Sequence, residues 1–250
     1  MNMFDLTGMS AIVTGASTGL GAGMTMALAE AGAEVLLVDR RDQRETVDHV
    51  RSIGKAAHTF QADLSDPKSP QRVVDAALKE FGKVDILVNN AGVIRRTPAL
   101  EFSDQDWDEV MAVNSRAVFF LAQAAGRDMV KRKRGKIINV ASLLSFQGGI
   151  TVPSYSASKG AVAQITKALA NEWASLGINV NAIAPGYMVT NNTEQLRANE
   201  TRARQITERI PAGRWGQPED LGGAVVFLAS KASDYVNGHV LLVDGGWMAR

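Results

Sequence analysis

The sequence predicts an α/β fold in which a doubly wound parallel sheet of about seven strands carries helices on both faces. Short runs rich in β-branched residues recur along the 250 residues, and segments with helical periodicity lie between them. A glycine-rich turn follows the first run. Strands that alternate with helices in this way build open parallel sheets. Neither a linker nor a low-complexity segment interrupts the alternation, so we expect residues 1–250 to form a single domain.

Seven apolar runs are the predicted strands. Helices cover both faces of a parallel sheet, which is why such strands are apolar almost throughout. In chain order the runs are SAIVTG, AEVLLVD, AAHTFQAD, VDILVNNAG, GKIINVAS, INVNAIAPG and GHVLLVDGG.

Helical periodicity marks the segments between the strands. It is clearest in GAGMTMALAEAGA and in SPQRVVDAALKEFG, whose apolar stripe consists of Val73, Val74, Ala77, Leu78 and Phe81. A third helical segment, from Asp104 to Lys133, is long. The least regular region, roughly Tyr187 to Gly216, precedes the last strand. Because α/β sheets bind ligands at the carboxyl ends of their strands, we interpret this region as a substrate lid, with a plain surface loop as the alternative.

The bulk composition excludes several classes of protein. The formal net charge is +1, from 27 basic and 26 acidic side chains, so no strong field attracts nucleic acid or an anionic membrane. No cysteine is present, which excludes disulfides and thiolate chemistry and suits a reducing compartment. No apolar run approaches the roughly 18 residues that span a bilayer, and the start MNMFDLTGMS lacks the pattern of a signal peptide. We therefore expect a cytoplasmic protein.

The glycine-rich turn predicts a binding site for a dinucleotide. In AIVTGASTGLGAGMTMAL a strand is followed by Gly15, Gly19 and Gly21 and then by a helix. Glycines let the backbone turn tightly and approach a ligand closely, and the N-terminus of the helix favours a pyrophosphate. Ser17 and Thr18 can add hydroxyl donors. A glycine turn alone is a weak signal, but the strand before it and the helix after it are typical of a Rossmann-type fold.

The residues that end the second and third strands bear on the choice of cofactor. Asp39 follows Gly21 by 18 residues, and an acid at about this spacing accepts the ribose hydroxyls of NAD and repels the extra phosphate of NADP. Arg40 and Arg41 come next and could instead bind that phosphate. We favour NAD, because Asp39 occupies the strand end itself. Asp63 is a candidate for the adenine amino group, although an isolated Asp before a turn is more often a helix cap.

An ordered set of motifs extends this site along the rest of the chain. After the glycine turn come NNAG at residues 89–92, Asn114, Ser142 after the fifth strand, Tyr155-x-x-x-Lys159, and Pro185 with Gly186. No single piece is specific, but together they resemble the short-chain dehydrogenase/reductase family over essentially the whole chain. The resemblance implies an enzyme that transfers a hydride between a nicotinamide cofactor and a secondary alcohol or ketone.

The resemblance implies a role for each motif. Tyr155 resembles the general acid/base, Lys159 the residue that binds the nicotinamide ribose and lowers the tyrosine pKa, and Ser142 the residue that orients the substrate oxygen. Asn114 resembles the holder of a proton-relay water. The implied cofactor groove comprises Gly15, Ser17, Thr18, Gly19, Leu20, Gly21, Asp39, Asp63, Leu64, Asn90, Gly92, Tyr155, Lys159, Pro185, Gly186, Met188 and Thr190. The histidines at 49, 58 and 239 show no ligand spacing, so we expect no metal.

The chemistry of Tyr155 and Lys159 supports these roles independently of the family. A free tyrosine has a pKa of about 10 and is a poor base at neutral pH. Residues four apart share one helix face, which places Lys159 beside the phenol, and a nearby cation lowers a pKa by roughly 1–3 units. A placed acid or base contributes about 10²–10⁴-fold in rate. Tyr-x-x-x-Lys on an exposed helix face is common, and it is the ordered set of motifs that favours catalysis.

The residues on the substrate side predict an acid as the substrate. Arg95 and Arg96 follow the fourth strand, and paired guanidinium groups bind a carboxylate well. The candidate substrate site comprises Arg95, Arg96, Ser142, Gln147, Tyr155 and Tyr187. The stretches NNAGVIRR, LLSFQGG, NAIAPGYMVTNNT and IPAGRWGQPEDL resemble family members that interconvert keto-deoxy sugar acids with NAD. We therefore expect a keto or hydroxy sugar acid as the small-molecule partner.

Two other functions are compatible with the same motifs. A 3-oxoacyl-acyl-carrier-protein reductase of the same family would use NADPH, and the run KRKRGK at residues 131–136 could contact an acidic carrier protein. The same run is also typical of a solvated helix end. A non-catalytic dinucleotide-binding protein is the second alternative, although Asn114, Ser142, Tyr155 and Lys159 are all present.

The long helical segment predicts self-association. Its apolar residues exceed what one sheet face needs, and surplus apolar surface is typical of subunit contacts. These residues are Ala112, Val113, Phe119, Phe120 and Leu121. The family commonly forms tetramers, so we expect a homotetramer. The alternative is a long helix buried within one subunit.

Overall fold

The seven predicted strands form one sheet in the computed structural model, which describes residues 3–250. Residues 1 and 2 of the N-terminal stretch considered above lie outside the described residues. The strands are β1 Ser10–Thr14, β2 Glu34–Asp39, β3 Ala57–Gln61, β4 Ile86–Asn89, β5 Gly135–Val140, β6 Ile178–Pro185 and β7 Val240–Val243. Every neighbouring pair is parallel, which confirms the predicted α/β sheet.

The strand order creates a crevice at the carboxyl ends of β1 and β4. In the order β3-β2-β1-β4-β5-β6-β7, the chain first builds outward on one side of β1 and then on the other. Val13 of β1 accordingly pairs with Leu37 of β2 on one side and with Val88 of β4 on the other. The connections leave these strands toward opposite faces, and ligands of such sheets bind at this point. The glycine turn follows β1 and therefore lies at the crevice.

Helices cover both faces of the sheet. They are α1 Gly19–Glu30, α2 Arg44–Ser52, α3 Ser69–Phe81, α4 Asp104–Met111, α5 Ala117–Arg132, α6 Pro153–Trp173, α7 Glu194–Ala198, α8 Glu200–Arg209 and α9 Gly222–Ala229. Helices α1, α2 and α9 pack on the face that carries Val13, whereas α3, α5 and α6 pack on the face that carries Ile12. This alternation of neighbouring strand residues gives the sheet two cores.

The long helical segment from Asp104 to Lys133 differs from its prediction. A π-helical turn at Ala112–Arg116 divides it into α4 and α5. The wider turn buries Asn114, whose side chain bonds to the backbone of Val93, and π turns of this kind are frequent at functional sites. The surplus of apolar surface is also smaller than expected, because Val113 and Leu121 belong to the buried core of the subunit.

The region from Tyr187 to Gly216 is more regular than its sequence suggested, because it contains α7 and α8. Ile206 of α8 and Ile210 pack against Leu143 and Trp247. This small apolar cluster fixes the region over the carboxyl ends of the strands. Within residues 3–250, no helix combines the length and apolarity needed to cross a membrane.

Candidate active site

The glycine turn forms the floor of a cleft at the carboxyl ends of β1 and β4. Gly15 and Gly19 have φ angles of +67° and +57°, a left-handed conformation that glycine adopts readily. A Cβ on Gly21 would lie 2.0 Å from the backbone oxygen of Gly15. Helix α1 begins at Gly19, so the first N–H groups of this helix open toward the cleft. This floor fits the pyrophosphate of a dinucleotide.

Most of the predicted cofactor residues line this cleft. They are Gly15, Thr18, Gly19, Leu20, Gly21, Asn90, Gly92, Tyr155, Lys159, Pro185, Gly186, Met188 and Thr190. Asn90 holds the floor in place, because its side-chain amide donates to the backbone oxygens of Thr14 and Gly15 at 2.8 and 3.1 Å. The structure thus brings together residues from four separate stretches of the sequence.

Asp63 and Leu64 line the adjoining end of the cleft. The Asp63 carboxylate accepts hydrogen bonds from the backbone N–H and the hydroxyl of Ser65, at 2.9 and 2.8 Å. These bonds lower the pKa of Asp63. Asp63 therefore closes a turn and does not cap a helix, the alternative that the sequence offered, because the next helix begins only at Ser69. The contact with adenine stays a prediction.

Asp39 is buried, and both of its carboxylate oxygens are engaged. Oδ2 accepts from the backbone N–H and the hydroxyl of Ser17 at 3.2 and 2.7 Å, and Oδ1 accepts from the backbone N–H and Nε of Arg41 at 3.0 and 3.4 Å. Burial raises the pKa of this carboxyl, but these bonds outweigh burial and keep the pKa below its usual value. The Ser17 hydroxyl donates to Asp39 in this arrangement, and its contact with the cofactor stays a prediction.

Arg41 faces the cleft more openly than Asp39. Its Nη2 donates to the Thr18 hydroxyl at 3.2 Å, and its side chain lines both the glycine floor and the end of the cleft beside Asp63. A guanidinium group is a strong partner for a phosphate. This end of the cleft therefore presents an accessible cation next to a carboxylate that is already occupied.

Helix α6 brings Tyr155 and Lys159 to the inner end of the cleft. The Lys159 ammonium lies 5.6 Å from the centroid of the Tyr155 ring and donates to the backbone oxygen of Val140 at 2.6 Å. The Ser142 side chain, which follows β5, forms a hydrogen bond with the Tyr155 side chain. Three of the predicted catalytic side chains are therefore close together.

Burial is the largest influence on the pKa of both Tyr155 and Lys159. It raises the pKa of the Tyr155 phenol, and the Ser142 hydrogen bond and the charge of Arg96 oppose this rise without reversing it. The lowering of the tyrosine pKa was expected with the positively charged nicotinamide bound beside the phenol, and it stays a prediction. Burial lowers the pKa of Lys159 to about 8, and no carboxylate within residues 3–250 forms an ion pair with its ammonium group.

Asn114, the fourth predicted catalytic residue, braces the site. Its Oδ1 accepts from the Val93 N–H at 2.8 Å, and its Nδ2 donates to the Val93 oxygen at 2.9 Å and to the Ser158 hydroxyl at 3.1 Å. Asn114 thereby ties the segment after β4 to helix α6. Its contact with a relay water stays a prediction.

Ser145 is a bracing residue that the sequence analysis missed. Its hydroxyl donates to the Lys159 backbone oxygen at 2.6 Å and accepts from the Ser142 N–H at 3.3 Å. The loop that carries Ser142 is therefore tied to the helix that carries Tyr155. The available signal was its position three residues after Ser142, the spacing of a capping box.

A second cavity, of about 610 Å³, opens beside the Tyr155 phenol. It shares Ser142, Tyr155, Pro185 and Gly186 with the cofactor cleft. The predicted substrate residues Arg96, Gln147 and Tyr187 line it, as do four residues that the sequence analysis missed: Arg202, Gln205, Arg209 and Trp247. Among the described residues that line this cavity, three are arginines and none is acidic.

Arg95 does not line the second cavity, so of the two candidate arginines the structure favours Arg96 for a contact with the substrate. Its guanidinium forms ion pairs with Asp106 at 3.3 Å and Glu109 at 2.5 Å on α4, and its side chain borders the cofactor cleft instead. Neighbouring residues in an extended segment point in opposite directions, which separates Arg95 from Arg96.

Within residues 3–250, no group of three or more His, Cys, Asp or Glu side chains could hold a metal ion.

Comparisons with known proteins relate nearly the whole chain to others of this architecture. A family model described as enoyl-(acyl carrier protein) reductase matches residues 15–248. A Dickeya dadantii protein named 2-dehydro-3-deoxy-D-gluconate 5-dehydrogenase is 57% identical over 251 residues, which cover 100% of this chain and 99% of the relative.

Solved structures extend the comparison to bound ligands. An Agrobacterium tumefaciens protein described as a 2-deoxy-D-gluconate 3-dehydrogenase, with bound NADP, is 55% identical and has a TM-score of 0.95 over 100% of both chains. A gluconate 5-dehydrogenase from Burkholderia cenocepacia, in complex with NADP and tartrate, is 40% identical and has a TM-score of 0.94 over 99% of this chain and 98% of the other.

Proposed function

The chain belongs to the short-chain dehydrogenase/reductase family, and on this premise we propose that it acts as a 2-dehydro-3-deoxy-D-gluconate 5-dehydrogenase. Such an enzyme moves a hydride between a nicotinamide cofactor and a secondary alcohol or ketone of a sugar acid. The family membership supplies the oxidoreductase class. The proposal concerns the substrate, the cofactor and the role of each residue.

One observation carries the proposal: the Tyr155 phenol lies where the cofactor cleft meets the second cavity, which is lined by arginines. A group at that junction can reach an oxygen of a substrate in one cavity while the reacting carbon faces the other. Ser142 borders both cavities as well and hydrogen-bonds the phenol. The pair is therefore suited to hold one substrate oxygen from two sides.

The residues divide the proton chemistry among them. When bound, the nicotinamide supplies or accepts the hydride. Tyr155 takes the proton from the substrate hydroxyl during oxidation and returns it during reduction. Ser142 donates to the same oxygen as negative charge develops there. Lys159 keeps a positive charge near the phenol ring, and its 2.6 Å bond to the Val140 oxygen fixes that charge in place.

The charge of the second cavity supports a sugar acid as the substrate. The described residues that line this cavity supply three guanidinium groups and no carboxylate, which favours an anion. The Gln147 amide and the Tyr187 phenol, which also line the cavity, suit a molecule with several hydroxyl groups. Among the three arginines, Arg96 acts electrostatically on the Tyr155 phenol, so its charge bears on the reacting end of the substrate.

The test of the substrate is an absorbance assay for reduced nicotinamide. A panel of sugar acids and an acetoacetyl thioester is offered to the purified protein, each with NAD and with NADP. We expect turnover with 2-dehydro-3-deoxy-D-gluconate or a related hydroxy acid and none with the thioester. Turnover with the thioester alone would overturn the proposed substrate.

We propose that the protein accepts NADP as well as the NAD that the sequence favoured. Asp39 is occupied by Ser17 and by Arg41, which weakens its repulsion of a phosphate, and the Arg41 guanidinium is available at the cleft. The NADP bound in two related structures supports this view.

The variant Arg41→Ala tests this cofactor proposal. We expect kcat/KM with NADP to fall about tenfold, because one charge-assisted contact is lost, while the value with NAD changes little. The matched control is Arg44→Ala, since Arg44 is exposed and pairs with Asp42. Equal losses with both cofactors in Arg41→Ala would contradict a phosphate contact.

A 3-oxoacyl-acyl-carrier-protein reductase is the weaker candidate. The basic run at residues 131–136 lies at the end of α5 and the start of β5, which is the end of the sheet away from Tyr155. Lys136, moreover, is buried and donates to Asp234 at 2.8 Å. A carrier protein bound to this run would have no short path to the phenol.

We also propose that residues 187–216 form a lid and that the protein is cytoplasmic. We further propose that the protein is a homotetramer. Phe119 and Phe120 remain half-buried within the subunit, and Leu242 on the last strand of the sheet is 37% exposed. Apolar groups in these positions are typical of subunit contacts. Light scattering should give about four times the 26.7 kDa chain mass. A mass of one chain would contradict the tetramer.

A further inference from the structure

Helix α8 turns one face toward the second cavity. Arg202, Gln205, Ile206 and Arg209 follow the spacing i, i+3, i+4 and i+7, and all four line that cavity. Ile206 is buried in the cluster with Trp247 and fixes the rotation of the helix. Arg204 and Glu208 lie on the opposite face and pair with each other at 3.8 Å, with side chains 72% and 68% exposed.

The three arginines of the cavity differ in what already engages them. Arg96 donates to the Asn192 backbone oxygen at 3.3 Å. The Arg209 guanidinium stacks 3.9 Å above the centroid of the Trp247 ring. The Arg202 side chain has no hydrogen bond, ion pair or ring contact with any residue in the range 3–250. Arg202 therefore keeps an unpaired charge at the edge of a cavity whose described lining contains no carboxylate.

We propose that Arg202 binds the carboxylate of the sugar acid and so sets the preference for acids over neutral sugars. The inference rests on the proposed function and deepens it. In a 5-dehydrogenase substrate, several carbon–carbon bonds separate the carboxylate from the reacting carbon. Arg96 acts on the phenol and belongs to the reacting end, which leaves the carboxylate for an arginine on another wall of the cavity. Arg202 on α8 meets that requirement, and its free fork matches a carboxylate in two hydrogen bonds.

The position of Arg202 also couples recognition to the segment that covers the cavity. Arg202 lies in the first turn of α8, whose start is capped by the Asn199 side chain accepting from the Arg202 N–H at 2.9 Å. A carboxylate held by Arg202 would join α8 to the walls that carry Ser142 and Tyr155. An acid would therefore be positioned for reaction, whereas a neutral analogue would lack this anchor.

The test compares Arg202→Gln with Arg204→Gln in the NADP-loaded protein. Both variants remove one charge from the same helix, but Arg204 faces away from the cavity. We expect Arg202→Gln to raise KM for the best acid of the panel about 10- to 100-fold, with kcat changed less than about threefold. For the carboxamide analogue of the same acid, Arg202→Gln should match the wild-type protein. Arg204→Gln should match it for both compounds, and Arg202→Lys should recover part of the acid preference.

Two outcomes would overturn the inference. One is an equal effect of the two glutamine variants on the acid. The other is an equal loss for the acid and the carboxamide in Arg202→Gln. If the wild-type protein turned over no sugar acid, the proposed function would fail, and calorimetric binding of gluconate would then decide on Arg202. Weaker binding in Arg202→Gln than in Arg204→Gln would still support the anion site, and equal or absent binding would refute it.

Discussion

A buried lysine lies at each end of strand β5, and the two lysines have different partners. Lys136 belongs to the strand, whereas Lys159 of α6 contacts Val140, the last residue of the strand. At the amino end, the Lys136 ammonium donates to Asp234 at 2.8 Å, Asn179 at 3.0 Å and Ser233 at 3.4 Å. At the carboxyl end, the Val140 oxygen at 2.6 Å is the one acceptor within residues 3–250 to which the Lys159 ammonium donates. Burial lowers the pKa of both lysines. The Asp234 carboxylate opposes that effect at Lys136, and no carboxylate of the described residues does so at Lys159.

This difference distinguishes a lysine that stabilises the fold from a lysine that takes part in the reaction. A buried charge with a full set of partners holds neighbouring elements together. A buried charge without a carboxylate costs stability and persists where chemistry uses it. We therefore assign Lys136 to the stability of the fold and Lys159 to the reaction of Tyr155. The predictions below test this division from the largest expected effect to the smallest.

The largest effect is expected for Tyr155→Phe at the functional end. Removing the phenolic oxygen removes the acid/base group, so kcat should fall about 10²–10⁴-fold. Cofactor affinity, measured by fluorescence titration of the reduced nicotinamide, should stay nearly unchanged. Turnover close to that of the wild-type protein would show that Tyr155 is not the acid/base group.

Lys159→Met should come next. It deletes the positive charge near the phenol ring, and the corresponding loss is roughly 10- to 1000-fold in kcat at saturating cofactor. The free energy of unfolding at pH 7, from urea titration, should not decrease, because an unfavourably buried charge has been removed. A marked loss of stability would show that Lys159 also serves the fold.

Lys136→Met should give the opposite result. The variant loses hydrogen bonds of a charged group, so the free energy of unfolding should fall by roughly 1.5–3 kcal/mol. Because Asp234 is largely exposed, it can regain water and adds little to this loss. kcat should remain within about twofold of the wild-type value. Lost activity in a folded Lys136→Met protein would contradict the assignment of Lys136 to the stability of the fold.

The smallest effect is a pH dependence of stability. The pKa of Lys159 is about 8 in the folded protein and 10.5 without burial, so the unfolded chain binds more protons between these values. Stability must therefore rise with pH across this window. Between pH 8 and pH 9, the wild-type protein should gain about 1 kcal/mol relative to Lys159→Met in urea titrations. Parallel pH curves for the two proteins would contradict the lowered pKa.

The sequence predicted the sheet well because its signals are local. Each of the seven strands is a continuous apolar run, and the glycines of the first turn reveal a close backbone approach. The residues Ser142, Tyr155 and Lys159 were found because their order along the chain matches the family. The structure agrees with the sequence in bringing these three side chains together.

What the sequence could not give depends on orientation and burial. The sequence does not distinguish Arg95 from Arg96, but in the structure two acidic residues of α4 form ion pairs with Arg95 and not with Arg96. Asp39 was expected at the cofactor, but the hydroxyl that occupies it comes from Ser17, which is 22 residues away. The direction of the Tyr155 pKa depends on desolvation, which no spacing reports. The inner face of α8 went unnoticed because the polar sequence of the region suggested irregular structure.

The most direct test of the division between the two lysines is the titration of Lys159 itself. Heteronuclear NMR of protein labelled at the lysine Nζ atoms can follow this ammonium group, with Lys159→Met and Lys136→Met identifying the two signals. We predict a midpoint near pH 8 for Lys159. A midpoint at or above the ordinary 10.5 would mean that the ammonium is hydrated or paired, and it would contradict the account.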